Sequence, residues 1–67
     1  MRPMSLAAAR VDAGLTQEAV SKALHISKAT IVSWENGSSE PKISQARDLC
    51  KLYNRPIDDI FLPSKSN

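Results

Sequence analysis

The sequence predicts an all-α domain of five short helices. Three observations point there. Apolar residues recur at helical spacing, Ser or Thr stands as an N-cap ahead of two of those runs, and Gly or Pro punctuates the chain between them. No strand-like alternation and no internal repeat competes with this reading.

The first helix is expected over residues 4–13, an Ala-rich stretch without Gly or Pro that sets Leu6, Ala9, Arg10 and Ala13 on one stripe. Gly14 ends it as a C-terminal cap. Thr16 caps a second helix, Gln17–Leu24, with Val20 and Leu24 inward and Glu18 and Lys22 spaced as an exposed i,i+4 ion pair. Ser27 follows Leu24 by only three residues and caps a third helix, Lys28–Asn36, whose apolar pair is Ile31 and Trp34. Gly37 closes it, and Ser38, Ser39, Glu40 and Pro41 make a loop of turn-forming residues. A fourth helix, about Ile43–Tyr53, carries Ile43, Ala46, Leu49, Cys50, Leu52 and Tyr53, a stripe wider than one small core requires. Pro56 suits the first position of a fifth helix, with Asp58 and Asp59 in its first turn and Ile57, Ile60, Phe61 and Leu62 on its buried side.

A chain of 67 residues leaves room for one domain, assigned to residues 1–63, with 64–67 as a disordered tail. The composition, 42% apolar and 24% charged, is that of a globular protein, and a net charge of +2 says little by itself. One cysteine and one histidine supply neither a disulfide nor a zinc site, so no metal or other cofactor is expected. Catalysis is not expected either: no nucleophile has a base and an orienting partner, and no glycine loop cradles phosphate. No stretch approaches the roughly 20 apolar residues that span a bilayer, the first nine residues are too short for a secretory leader, and no small-molecule ligand is evident. Trp34 is read as core, Cys50 as a small buried hydrophobe, and His25 as a solvated turn residue.

Two short helices joined by a tight turn form the helix-turn-helix unit, whose second helix enters the major groove of DNA. The outward face of the third helix is Lys28, Ala29, Thr30, Val32, Ser33 and Asn36, with nothing acidic before Glu35.

The markers run the length of the chain: Arg10 in the first helix; Gly14, Leu15, Thr16, Gln17; the turn Leu24, His25, Ile26, Ser27; Trp34, Glu35, Asn36, Gly37; and Ile57, Asp58, Asp59, Ile60, Phe61. In this order and spacing the chain resembles the phage-repressor and Cro-like (XRE-type) helix-turn-helix family, across roughly residues 6–62. The resemblance implies a compact, five-helix, lambda-repressor-like domain in the cytoplasm of a prokaryote or encoded by a phage. It implies a transcriptional regulator, a repressor, that reads half-sites of a double-stranded operator as a homodimer. Lys28, Ala29 and Ser33 would face base edges, Lys28 donating to guanine O6 or N7 and Ala29 touching a thymine methyl. Gln17, Thr30, Asn36 and Lys42 would contact the DNA backbone, and Arg10 and Glu35 would form a structural ion pair. With no second domain, dimerisation falls to the helical domain itself, and Ile60, Phe61 and Leu62 are the expected contact.

Three residues depart from the family pattern. His25 stands where the turn usually has a positive-φ Gly, Ser21 where a smaller residue, usually Ala, is expected, and Arg55 where an apolar residue is common. The alternative function is a protein-interaction module of the same fold, such as an antitoxin or a coactivator-like adaptor. Its sign would be acidic or bulky apolar residues outward on the third helix, where this chain has only Val32.

Overall fold

A computed structural model describes residues 4–56 together with Ile60–Phe61. Among the described residues the order is β1 (Met4–Ser5), α1 (Leu6–Asp12), α2 (Gln17–Leu24), α3 (Lys28–Asn36), α4 (Ile43–Tyr53) and β2 (Ile60–Phe61). The helices described are four, and none is long and apolar enough to cross a membrane.

Each helix starts where a side chain meets an orphan backbone N–H, or where the chain leaves an extended residue. Ser5, Thr16 and Ser27 accept from Ala8, Ala19 and Thr30 at 3.0, 3.0 and 3.2 Å. The Lys42 N–H donates to Gln45 Oε1 at 2.8 Å at the head of α4. Three left-handed residues stop α2, α3 and α4: His25 (φ 57), Gly37 (φ 86) and Asn54 (φ 57). For Gly37 that conformation is free of steric cost, whereas His25 and Asn54, of the few non-glycine types enriched in that region, adopt it at some strain.

Leu6 and Ala9 of α1, Val20 of α2, Ile31 and Trp34 of α3, and Leu49 and Tyr53 of α4 form the buried cluster. Met4, Leu15, Leu24, Ile26 and Leu52 pack on its edge. Burial of Cys50 pushes its thiol pKa up, which favours the protonated form.

The structure corrects several expectations. Helix α1 begins at Leu6 because Ser5 turns outward as its cap and Met4–Ser5 pair in parallel with Ile60–Phe61, Met4 opposite Ile60. Ile60 and Phe61 therefore lie on a strand and not on a fifth helix. Ile57, Asp58, Asp59, Leu62 and the tail at 64–67 lie outside the described residues. Ile43 is 65% exposed, since the inward stripe of α4 starts a turn later at Ala46. Glu18 and Lys22 are both exposed and form no contact pair; the ion pairs among the described residues are Arg10–Glu35 and Arg55–Asp12. An exposed pair of long side chains gains too little Coulomb energy to offset the entropy of fixing them.

Candidate nucleic-acid interface

Helices α2 and α3 pack on each other more extensively than any other pair of elements. The connection between them is His25, Ile26 and Ser27, and it is closed by hydrogen bonds on both sides. The Ile26 N–H donates to Ser21 O at 3.0 Å, and the Ser21 hydroxyl donates to Ile26 O at 2.6 Å. With Ile31 and Trp34 in the core, α3 is held by one face and presents the other.

On that face Lys28, Ala29 and Asn36 are exposed, while Thr30, Val32 and Ser33 are half-buried. Ala29 projects no polar group, and Lys28 carries the positive charge of the helix's first turn. Thr30 folds back, its hydroxyl 2.9 Å from Ser27 Oγ. Ser33 Oγ lies 2.8 Å from Ser39 Oγ in the loop that follows, a loop also pinned by donation from the Ser38 N–H to Ser33 O at 2.9 Å. Asn36 Oδ1 accepts from the Ser38 N–H and hydroxyl at 2.9 and 2.7 Å, which engages the acceptor half of its amide. Lys42 sits exposed at the end of the same loop.

The one acid of α3 is withdrawn from the face. Glu35, its side chain 9% exposed, accepts from Arg10 Nε at 2.7 Å and Nη2 at 3.4 Å, and from Gln17 Nε2 at 2.9 Å. Arg10 Nη1 also donates to Leu15 O at 2.9 Å, so the guanidinium ties α1, the loop before α2, and the end of α3. The sequence placed Gln17 as a phosphate contact; here one of its two amide hydrogens is engaged by Glu35, leaving one amide hydrogen and the backbone N–H at the start of α2. Beside it a shallow depression of about 320 Å³ is lined by Arg10, Thr16, Gln17, Glu18 and Lys28.

Three contributors were not foreseen. Ser21 closes the turn, Ser39 pairs with Ser33, and Arg55 donates to Asp12 at 2.6 Å across to α1. Only Ser21 and Arg55 left a trace in the sequence, as departures from the usual residue types at their positions.

The helix-turn-helix family matches residues 6–60. The chain is 33% identical over 58 residues to the cryptic phage CTXphi transcriptional repressor RstR of Vibrio cholerae, covering 87% of this chain and 52% of that protein. It thus spans about half the length of that relative. It is 38% identical over 48 residues to an uncharacterized HTH-type transcriptional regulator of Methanocaldococcus jannaschii, covering 72% of this chain and 73% of that one. An uncharacterized HTH-type transcriptional regulator of Archaeoglobus fulgidus is 32% identical over 53 residues, 79% of this chain and 76% of its own. No solved structure matches the chain. A family match over nearly all of the described residues, on a structure with the capped helix pair that defines it, establishes that the chain belongs to the helix-turn-helix family.

Proposed function

We propose that this protein is a sequence-specific DNA-binding regulator of transcription, acting as a repressor in the cytoplasm, and that α3 reads operator half-sites in the major groove. The observation that carries the reading is the acid-free outer face of α3: its one carboxylate, Glu35, is turned inward and held by Arg10 and Gln17. An uncompensated carboxylate there would meet DNA phosphate across a short gap.

Lys28 donates to guanine O6 or N7, Ala29 meets a thymine methyl, and Ser33 adds a hydroxyl beside them. Gln17 offers its remaining amide hydrogen and its backbone N–H to a phosphate at the depression it shares with Lys28. Asn36 and Lys42 contact the backbone on the far side of α3, and Thr30 supports the N-cap at the near side. Two copies span two half-sites about one helical turn apart. Ile60, Phe61 and Leu62 belong to the region that joins them. A protein-docking role is disfavoured because Val32, the one bulky apolar residue on the face, is half-buried.

Fluorescence anisotropy with selected operator DNA over a range of salt tests the reading. Log affinity should fall linearly with log salt, each lysine-neutralised phosphate adding about 0.9 to the slope. A flat response would overturn it.

A further inference from the structure

Ser21 and His25 both depart from the usual residue types of this motif, and the structure joins them in one small device. We propose that Ser21 is a positioning residue of the recognition unit: its hydroxyl fixes the turn that His25 strains, and so holds α3 at the angle from which it reads DNA. This deepens the DNA-binding reading and rests on it.

His25 has φ 57 and ψ 44, with its side chain exposed. His is among the few non-glycine types found there, but its Cβ still carries some strain that the surroundings must hold. The restraint comes from the residues on either side of it. Serines inside helices usually donate backward to the carbonyl four residues earlier, which here would be Gln17. Ser21 reaches forward instead, out of its own helix, to Ile26 O at 2.6 Å. That carbonyl belongs to neither helix, because the first bonds of α3 go to Ser27 O, from Thr30 at 3.1 Å and Ile31 at 3.3 Å. Ile26 is half-buried and packs on the core cluster, so its carbonyl has reduced access to water. Together with the Ile26 N–H to Ser21 O bond, the hydroxyl makes a two-point clamp between residues 21 and 26. The strained residue sits inside that clamp.

In the variant His25→Gly the left-handed conformation carries no steric cost, so the clamp becomes dispensable. The two positions should therefore be energetically coupled, which a double-mutant cycle with Ser21→Ala, His25→Gly and both together measures. Ala has less bulk than Ser and is a good helix former, so Ser21→Ala folds. Two readouts are taken at a temperature where every variant is fully folded. The first needs no DNA: exchange of the Ile26 amide hydrogen, relative to core amides of α4, should accelerate about tenfold in Ser21→Ala and return to near the wild-type rate in the double variant. The second is the ratio of operator to random-sequence affinity, which should drop about tenfold in Ser21→Ala and about twofold or less when His25→Gly is added to it. A merely stabilising hydroxyl would leave that ratio unchanged in folded protein. Additive effects of the two substitutions, or an unaltered ratio in Ser21→Ala, overturn the proposal. If the wild type binds no DNA, the DNA-binding reading fails, and the exchange cycle still decides whether Ser21 and His25 are coupled.

Discussion

Two ion pairs of nearly equal length start from α1, at Arg10 and at Asp12, and their settings differ. Arg10–Glu35, at 2.7 Å, ties α1 to the end of α3 with its side chains only 15% and 9% exposed. Arg55–Asp12, at 2.6 Å, joins the end of α4 to α1 with its side chains 30% and 56% exposed. The first pair has further partners in Gln17 and the Leu15 carbonyl, and each of its charges depends on the other for solvation. The second remains in contact with water. Distance alone does not rank them: burial makes the first a structural necessity and leaves the second a tether.

The largest effect follows from breaking the buried pair. Arg10→Met leaves Glu35 with only Gln17 as a partner in a nearly dry site and should cost about 3–5 kcal/mol of stability, read from the midpoint of urea unfolding. A cost below about 1 kcal/mol would mean that the pair behaves like the exposed one, and the contrast between the two regions would vanish.

Tyr53 is buried on α4 and within electrostatic reach of the first pair. Its phenol pKa is pushed up to about 12, chiefly by burial, then by the Glu35 carboxylate, with the Arg10 guanidinium opposing. Because the folded phenol holds its proton more tightly than the unfolded one, the stabilisation is complete below the unfolded pKa, near 10. It is lost as pH rises through about 12. The loss attributable to this residue should be about 2–3 kcal/mol. Alkaline denaturation of wild type and Tyr53→Phe side by side checks it: the variant should decline less steeply over that window, and parallel curves would contradict it.

The outer face of α3 sharpens the comparison further, since the contacts proposed for Lys28 and Gln17 differ in kind. Lys28→Ala should change the preferred bases, with a base-specific loss of about 1–3 kcal/mol for a bidentate contact, and Ser33→Ala should do so more weakly. Gln17→Ala should weaken all sequences alike, because phosphates carry no sequence information. Site selection from random duplexes with the three variants decides it. If Lys28→Ala leaves base preference intact, α3 is not the reader.

The two regions also differ in how much the sequence disclosed. Around α2 and α3 the determinants are local: Thr16, Ser27 and Gly37 act as the caps their types announce, and Ile31 and Trp34 at helical spacing leave one outward face. The positive φ of His25 was expected from the family resemblance, where that turn position is usually Gly. What lay hidden there was the company each side chain keeps, such as Ser39 against Ser33, which depends on how a loop folds back. At the chain ends the controlling event is a pairing between Met4–Ser5 and Ile60–Phe61, residues far apart in sequence and too few to show alternation. The cap at Ser5 was missed, because the Ala-rich run extended the expected helix back to residue 4. Pro56, Asp58 and Asp59 spoke locally for a helix, while the distant pairing put Ile60 and Phe61 on a strand.

The smallest effect belongs to the exposed pair and completes the contrast. Asp12→Asn removes the charge but keeps an oxygen that can accept from Arg55, whose backbone N–H also holds to Cys50 O at 2.9 Å. With Asp12 more than half exposed, solvent screens most of the attraction, so the cost should be about 0.5 kcal/mol and should shrink toward zero in high salt. Thermal melts at low and high ionic strength measure both features. A salt-independent loss above about 2 kcal/mol would show that the Arg55–Asp12 pair behaves as a desolvated pair like Arg10–Glu35, against its exposure.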